Sequence, residues 1–205
     1  MRRFVVIGQQ ATASPDFLLD DVPGSSGRLD VLLRSLRAAL LVSHGVRRDT
    51  IAYLVLLGGP RAPRTLRVDG SISEYLRPDE RSLGTLVKKA LATAPAGPAF
   101  VAARHGLAVA DAGLDAVLAD LGPATHYVLE EGATDVRACP LDTRDGAFFV
   151  GDHLGFDGTV RERLAAIGAT PVGVGPISVH AEDAIAIVAN EVDRRTQASR
   201  LNYRS

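Results

Sequence analysis

The sequence predicts an α/β fold in which a mainly parallel sheet is flanked by helices. Short apolar runs alternate with helical patterns along most of the chain, as expected of parallel strands joined by crossover helices. Several of these runs end in glycine, which is typical of tight turns after a strand. The chain has 205 residues, of which 46% are hydrophobic and 23% charged, so we assign residues 1–205 to a single globular domain.

The first half of the chain contains three predicted strands and two predicted helices. The strands are expected at residues 4–8, 51–57 and 65–68. A Gly- and Pro-rich loop is expected over 9–26, followed by a helix that opens at 27–30, carries leucines at helical spacing and ends near residue 43. The second helix begins around 78–80, because proline and carboxylates suit a first helical turn. Residues 93–98 end that helix and form the best candidate for a hinge.

The second half alternates more regularly. Its strands are expected at residues 99–103, 126–129, 147–150 and 171–174. Its helices are expected at 114–121, 158–167 and 178–197. The buried face of the last helix is predicted to consist of Ala181, Ile185, Val188, Ala189 and Val192.

Charge and cysteine content exclude several classes of protein. The formal net charge is -1, which argues against a polybasic nucleic-acid binder but leaves room for a local basic patch. The single cysteine, Cys139, excludes a disulfide framework, and no metal site is expected. We expect no signal peptide and no membrane span, because no apolar run is long enough, and therefore predict a cytoplasmic protein.

Three predicted strands end in unusual sequences. Leu129 is followed by two glutamates, Val150 by Gly151, Asp152 and His153, and Val174 by Gly175. Ligands of open α/β sheets bind outside the carboxyl ends of the strands, so these turns are candidate ligand contacts. Ordinary strand-to-helix turns would explain them equally well. An acid/base pair of the adjacent aspartate and histidine is a further alternative.

Two helix starts combine an arginine with carboxylates. Arg28 and Asp30 open one helix, and Asp79, Glu80 and Arg81 open another. Arginine is disfavoured by the dipole of a first helical turn, yet it suits a phosphate or a base edge there. An adjacent carboxylate could accept a proton. Solvated charges that only cap the helices remain the alternative.

The motifs in their order resemble a known family. They are FVVIG at 4–8, PDF at 15–17, GRLD at 27–30, PDERS at 78–82, FVGDH at 149–153, GPI at 175–177, and finally His180 and NEVD at 190–193. This set, which spans nearly the whole chain, resembles the archaeal tRNA pseudouridine-54 N1-methyltransferases and their bacterial relatives, which are SPOUT-class enzymes. The resemblance implies a SPOUT-type α/β fold with a C-terminal trefoil knot and a homodimer that binds S-adenosylmethionine in the knot loops.

The resemblance also implies residue roles. The residues that would line the cofactor are Leu129, Gly151, Val174, Gly175, Pro176, Ile177, Ser178, Val179 and Ala184. At the last of these positions family members often carry cysteine or serine. The helix after residue 178 would carry the dimer interface, which suits its apolar face.

The implied reaction is methyl transfer to N1 of a pseudouridine, whose proton must leave. We predict Asp30 as the base or N1-orienting group and Arg28 as the group that positions the uracil edge or a phosphate. Asp79, Glu80 and Arg81 are further substrate-binding candidates for the same pocket. Structured RNA, tRNA above all, would meet a local arginine surface, for which the candidates are Arg28, Arg34, Arg37, Arg47, Arg48, Arg61 and Arg64.

Two other readings stay open at this point. One is a knotted dimeric module that binds S-adenosylmethionine or a related nucleotide without methylating RNA. The other is an enzyme with a different substrate: a methyltransferase that acts on a different RNA or on a small molecule, or an α/β enzyme that acts on a small molecule and uses Asp152 and His153.

Overall fold

The computed structural model describes residues 1–73, 76–93 and 97–202, the last five of them through their backbone alone. The strands are β1 (Arg2–Thr12), β2 (Leu41–Val42), β3 (Gly45–Val46), β4 (Thr50–Gly58), β5 (Arg64–Asp69), β6 (Val101–Arg104), β7 (Leu107–Ala110), β8 (Thr125–Leu129), β9 (Gly146–Gly151) and β10 (Thr170–Val172). The helices are α1 (Val22–Ser25), α2 (Leu29–Leu40), α3 (Glu80–Leu91), α4 (Leu114–Leu121), α5 (Gly158–Ala166) and α6 (Ala181–Asn202).

Eight strands form one sheet in the order β10-β8-β9-β1-β4-β5-β7-β6. The strands from β10 to β4 run parallel to one another, and β5, β7 and β6 continue the sheet with antiparallel pairing. The predicted α/β fold with a mainly parallel sheet flanked by helices is therefore confirmed. The carboxyl ends of β10, β8 and β9 consequently lie side by side at one edge.

Helices cover both faces of the sheet because the central strands are apolar on both sides. In β1, Phe4 and Val6 pack into the core under α2, α3 and α6, whereas Val5 and Ile7 pack into the core under α4 and α5. This alternation follows from the two-residue period of a strand. Helix α2 lies between α3 and α6 and contacts both.

The largest differences from the predicted elements lie near the start of the chain. Strand β1 extends to Thr12, which pairs with Gly58 after a shift of register, so part of the predicted loop at 9–26 is strand. The remainder of that loop contains α1. Helix α2 ends at Leu40 rather than near residue 43, because the following residues form the two-stranded hairpin of β2 and β3.

Later differences are smaller. Strand β7 was not predicted, although it joins β6 to β5 and so continues the sheet. The centre of the predicted hinge, residues 94–96, lies outside the described residues, and the strands before and after it belong to the same sheet. Helix α6 begins at Ala181, three residues later than predicted, because residues 176–180 form a loop. Within the described ranges, no helix is both long and apolar enough to span a membrane.

Candidate functional site

A pocket of about 860 Å³ lies at the carboxyl ends of β8, β9 and β10, beside the first turns of α2 and α6. Register brings these ends together: Val172 pairs with Leu129, and Val128 pairs with Phe149. The pocket therefore occupies the edge of the sheet at which ligands of α/β proteins bind.

Eight of the nine residues predicted to bind the cofactor line this pocket; they are Leu129, Gly151, Val174, Gly175, Ile177, Ser178, Val179 and Ala184. Pro176 is the ninth and is not among the lining residues. Residues from three separate strand ends and from the start of α6 thus converge, although they are up to 55 positions apart in the chain. Their role in binding remains a prediction.

The turn after β9 is packed too closely to admit a side chain at Gly151. A Cβ at this position would lie 2.7 Å from the backbone of Gly155. Asp152 holds the turn, because its two carboxylate oxygens accept hydrogen bonds from the backbone N–H groups of Gln9 and Leu154, both at 2.8 Å. His153 Nδ1 lies 3.9 Å from the Asp152 carboxylate. Asp152 therefore stabilises the turn. The 3.9 Å separation from His153 is too long for a hydrogen bond and does not support an acid/base pair.

The segment after β10 passes close to the loop that follows β8. Gly173 donates a backbone hydrogen bond to Thr134 at 2.8 Å and accepts one from Val136 at 2.7 Å. A Cβ on Gly173 would lie 2.6 Å from the carbonyl oxygen of Ala133, so this crossing needs glycine. The close passage fixes the start of the 174–180 segment, which forms one wall of the pocket.

A network of arginines and carboxylates forms another wall. Arg28 donates from Nε and Nη2 to the two oxygens of Asp30, at 3.0 and 3.2 Å. Arg34 donates from Nη1 to Asp30 at 2.8 Å and from Nε to Glu182 at 2.7 Å. Arg28 has a φ of 66°, and it is the one non-glycine residue with positive φ in the described ranges. Such a conformation is uncommon for a side-chain-bearing residue and is often associated with functional sites.

Asp30 is only 2% exposed and does not line the pocket itself. Burial alone would raise its pKa, but the hydrogen bonds and charges of Arg28 and Arg34 outweigh burial and hold the pKa below the ordinary aspartate value. The pKa of Arg28 is raised, chiefly by its hydrogen bond to Asp30. A deprotonated carboxylate with both oxygens already accepting from guanidinium groups is a weak proton acceptor but a strong anchor for arginine.

Two of the network residues were not among the predicted site residues. Arg34 follows Asp30 by four positions on α2, and this spacing would have revealed it. Glu182 belongs to α6, about 150 residues later in the chain, and only the packing of α6 on α2 brings it here. Glu131 on the opposite wall hydrogen-bonds to the Ser178 hydroxyl, which is also a tertiary contact.

The other predicted trio lies at the start of α3, outside the pocket. Asp79 caps that helix by accepting from the Ser82 backbone N–H at 2.8 Å, and this backbone hydrogen bond lowers its pKa. Arg81 forms an exposed ion pair with Asp20 and lines a separate groove. The structure therefore does not bring Asp79, Glu80 and Arg81 together with Arg28 and Asp30, because α3 lies on the opposite side of α2 from α6.

The predicted arginine surface also changes. Arg64 is 2% exposed and donates to Asp111 and to the Leu91 carbonyl, both at 2.7 Å, so its assignment to an RNA-binding surface is wrong. Arg47 Nη1 donates to both carboxylate oxygens of Asp193 on α6. Arg48 donates to the backbone carbonyls of residues 70, 71 and 73. These arginines hold the fold because turns and strand ends expose carbonyls that need donors. Arg28, Arg37 and Arg61 remain candidates for contact with RNA.

Within the described residues, no group of three or more His, Cys, Asp and Glu side chains is arranged to hold a metal ion.

The overall structure resembles a solved crystal structure. The chain superposes on Nep1 of Archaeoglobus fulgidus, a crystal structure bound to S-adenosylhomocysteine, with a TM-score of 0.65. The match covers 94% of this chain and 97% of the other, at 15% sequence identity. It confirms the SPOUT-type fold that the sequence predicted, whereas the C-terminal knot stays a prediction.

Sequence comparisons reach further. The chain is 39% identical over 194 residues to a tRNA (pseudouridine(54)-N(1))-methyltransferase of Methanosarcina acetivorans, which covers 95% of this chain and 92% of that protein. The protein of the same name from Halobacterium salinarum is 39% identical over 195 residues, covering 94% and 96%. A family model described as "Putative SAM-dependent RNA methyltransferase", in which SAM is S-adenosylmethionine, matches residues 1–197. The chain therefore belongs to this family of SAM-dependent RNA methyltransferases.

Proposed function

We propose that this protein transfers the methyl group of SAM to N1 of a pseudouridine in tRNA. The observation that carries the proposal is the pocket at the ends of β8, β9 and β10, where predicted cofactor contacts meet the Arg28–Asp30 pair. The names of the relatives support tRNA and pseudouridine as the substrate.

The residues around the pocket suit SAM. The volume of about 860 Å³ falls within the range typical of cofactor pockets. SAM carries an ammonium, a carboxylate and a sulfonium cation, and the lining supplies both signs of charge: Arg28, Arg34 and Arg161, together with Glu130, Glu131 and Glu182. Gly151 and Gly175 leave backbone groups accessible to a flat base. When bound, SAM supplies a methyl group that is activated towards nucleophiles.

Arg28 is the side chain that we place against the pseudouridine. Its guanidinium is 42% exposed and faces the pocket, where it can donate to a uracil carbonyl or to a phosphate. Its charge stabilises the electron-rich base as N1 gives up its proton to water and gains the methyl group. Asp30 acts through Arg28: its two carboxylate oxygens accept hydrogen bonds from the guanidinium and fix its orientation. Asp30 is therefore proposed as the orienting group rather than the base.

A homodimer and a threaded C-terminal segment belong to the same proposal. The apolar face of α6, which includes Ile185, Val188 and Val192, is buried within the chain and offers nothing to a partner. Leu154, Ile177 and Val179 lie instead on the pocket rim as exposed apolar side chains, and a second copy would cover them. The passage of Gly173 against residues 133–136 supports a trefoil knot. A tRNA substrate implies a cytoplasmic enzyme.

The test uses tritium-labelled SAM and two RNA stem–loops that differ only by pseudouridine or uridine at one position. We expect label in the pseudouridine RNA alone, recovered as N1-methylpseudouridine after nuclease digestion and mass spectrometry. Arg28→Gln should lose most of this activity. Arg144→Gln should not, because Arg144 is exposed in the β8–β9 connection, at the opposite edge of the sheet.

Three results would count against the proposal. Absence of SAM binding in calorimetry would refute the cofactor assignment. SAM binding without methyl transfer to either RNA would favour a binding module. Equal labelling of both RNAs would refute pseudouridine as the target.

A further inference from the structure

A second groove, of about 550 Å³, lies between α3 and the edge strand β6. Its charged lining residues are all cations: Arg77, Arg81, Lys89 and Arg104. We propose that this cationic groove binds the phosphate backbone of the RNA substrate at a distance from the reacting base. The inference rests on the proposed RNA methyltransferase function and adds to it the surface that holds the RNA.

The cations converge from three parts of the fold. Arg81 and Lys89 lie eight positions apart on α3, with Thr85 midway between them, so all three share one face of the helix. Arg77 precedes that helix, and Arg104 ends β6. The Cα atoms of Arg81 and Lys89 are thus about two helical turns apart, roughly 12 Å along the helix axis, a spacing that suits contacts to phosphates that are not adjacent.

These cations differ from the arginines that hold the fold. Arg77, Lys89 and Arg104 form no side-chain hydrogen bond or ion pair with any residue in the described ranges, although Arg77 is close enough to Asp79 to help lower its pKa. Arg81 has only the exposed pair with Asp20, and such pairs contribute little to stability. Arg77, Lys89 and Arg104 are therefore available to a ligand, and Arg81 can leave its weak exposed pair to join them.

The groove has the composition of a phosphate site. No carboxylate is present among its described lining residues, although the chain as a whole carries a net charge of -1. The remaining lining residues include Ser82, which carries a hydroxyl group, and Thr85, whose hydroxyl donates to the Arg81 carbonyl at 2.8 Å. Arginine and lysine contacts to phosphate provide affinity without sequence specificity, which is the role that a binding surface away from the reacting base requires.

The groove and the pocket share one helical layer. Helix α2 has the Arg28–Asp30 pair at its first turn and packs between α6, which borders the pocket, and α3, which borders the groove. An RNA that crosses α2 can therefore place one nucleotide in the pocket and its backbone in the groove. Arg37 is exposed on α2 itself.

The test measures binding of an unmodified tRNA transcript by fluorescence anisotropy at several salt concentrations. The variants are Lys89→Gln, Arg104→Gln and the double variant, with Arg144→Gln as a control that removes one charge, as each single variant does. Removing two phosphate contacts should weaken binding about tenfold at moderate salt and lower the slope of log K against log salt by about 2. The control should leave affinity and slope unchanged, and calorimetry should give the same SAM affinity for every variant.

The outcomes separate the groove from the methyltransferase proposal. If the wild-type protein binds the transcript and the double variant binds it equally tightly with the same slope, the groove is refuted and the methyltransferase proposal stands. If the control weakens binding as much as either single variant, only total charge matters and the groove is refuted as well. If the wild-type protein does not bind the transcript, the groove proposal fails, whereas the methyltransferase proposal is decided separately by labelling of the pseudouridine RNA.

Discussion

Replacing Asp30 by asparagine removes one negative charge from between two guanidinium groups while it keeps the shape of the side chain. The carboxylate accepts three hydrogen bonds, at 3.0 and 3.2 Å from Arg28 and at 2.8 Å from Arg34. Asparagine retains one acceptor oxygen, but its amide N–H groups would face the N–H groups of an arginine. The variant tests whether Asp30 orients Arg28 or accepts a proton.

The magnitude follows from these contacts. A hydrogen bond to a charged group contributes about 1.5–3 kcal/mol to stability. The total loss is smaller than the sum over the three hydrogen bonds, because the Arg28 and Arg34 side chains are 42% and 40% exposed and can be hydrated when the carboxylate is gone. We therefore expect a destabilisation of about 2 kcal/mol, measured by urea unfolding near neutral pH.

The pH dependence has a definite sign. The pKa of Asp30 is lower in the folded protein than in the unfolded chain, so its ionisation stabilises the fold fully above the unfolded pKa of about 4. This contribution is lost as the pH falls through the folded pKa. The difference in unfolding free energy between wild type and Asp30→Asn should therefore shrink below about pH 4.

Activity distinguishes the two roles. If Asp30 only orients Arg28, methyl transfer should fall about 10- to 100-fold with an unchanged pH profile, because the guanidinium is displaced but present. Arg28→Gln and the double variant Arg28→Gln/Asp30→Asn should then lose about the same amount of methyl-transfer activity, since the two residues act as one unit. A loss beyond about 1000-fold, with the acid limb of the pH profile abolished and stability retained, would identify Asp30 as the base and refute the reasoning.

Three further predictions concern the turn, the rim and a buried arginine. Gly151→Ala should weaken SAM binding at least about tenfold in calorimetry, because its Cβ would lie 2.7 Å from backbone, whereas Gly158→Ala, with no atom within 4 Å, should bind normally. Leu154→Asp should shift the protein from dimer to monomer in sedimentation, and the control Ile72→Asp, at an apolar side chain that is also exposed, should not; an unchanged dimer contradicts the rim interface. Arg64→Gln should cost about 3 kcal/mol in urea unfolding, since it leaves a buried pair broken, and a neutral result would contradict its structural role.

The regular elements of the fold could be predicted because their patterns are local. The apolar run of β4 and the leucine spacing of α2 appear directly in the sequence, and both elements are present there, although α2 ends at Leu40 rather than near residue 43. The last four residues of β1 could not be predicted. They include polar residues such as Gln9 and Gln10, and they are strand because β4 offers a partner. Strand β7 is short and was missed for a related reason, since pairing with β5 and β6 defines it.

The candidate site divides in the same way. Its individual residues could be recognised from short motifs, and most of the predicted cofactor contacts meet in one pocket. The burial, ionisation and pairing of these residues could not be predicted from the motifs. Asp30 reads as a first-turn carboxylate in the sequence, and only the burial of that turn beside two guanidinium groups makes it an anchor of low pKa. From the sequence, Arg64 was predicted to be a cation in a turn, and only the tertiary structure buries its side chain.

By itself, the sequence determined the α/β class, the family and the residues around which the pocket is built. These depend on periodicity and on short motifs, which are properties of neighbouring residues. The tertiary structure alone decided that Glu182 joins the site and pairs with Arg34, that Asp79 does not join it, and which arginines are left for RNA. Those outcomes depend on which helices pack together and which charges find partners, and such contacts form between residues far apart in the chain.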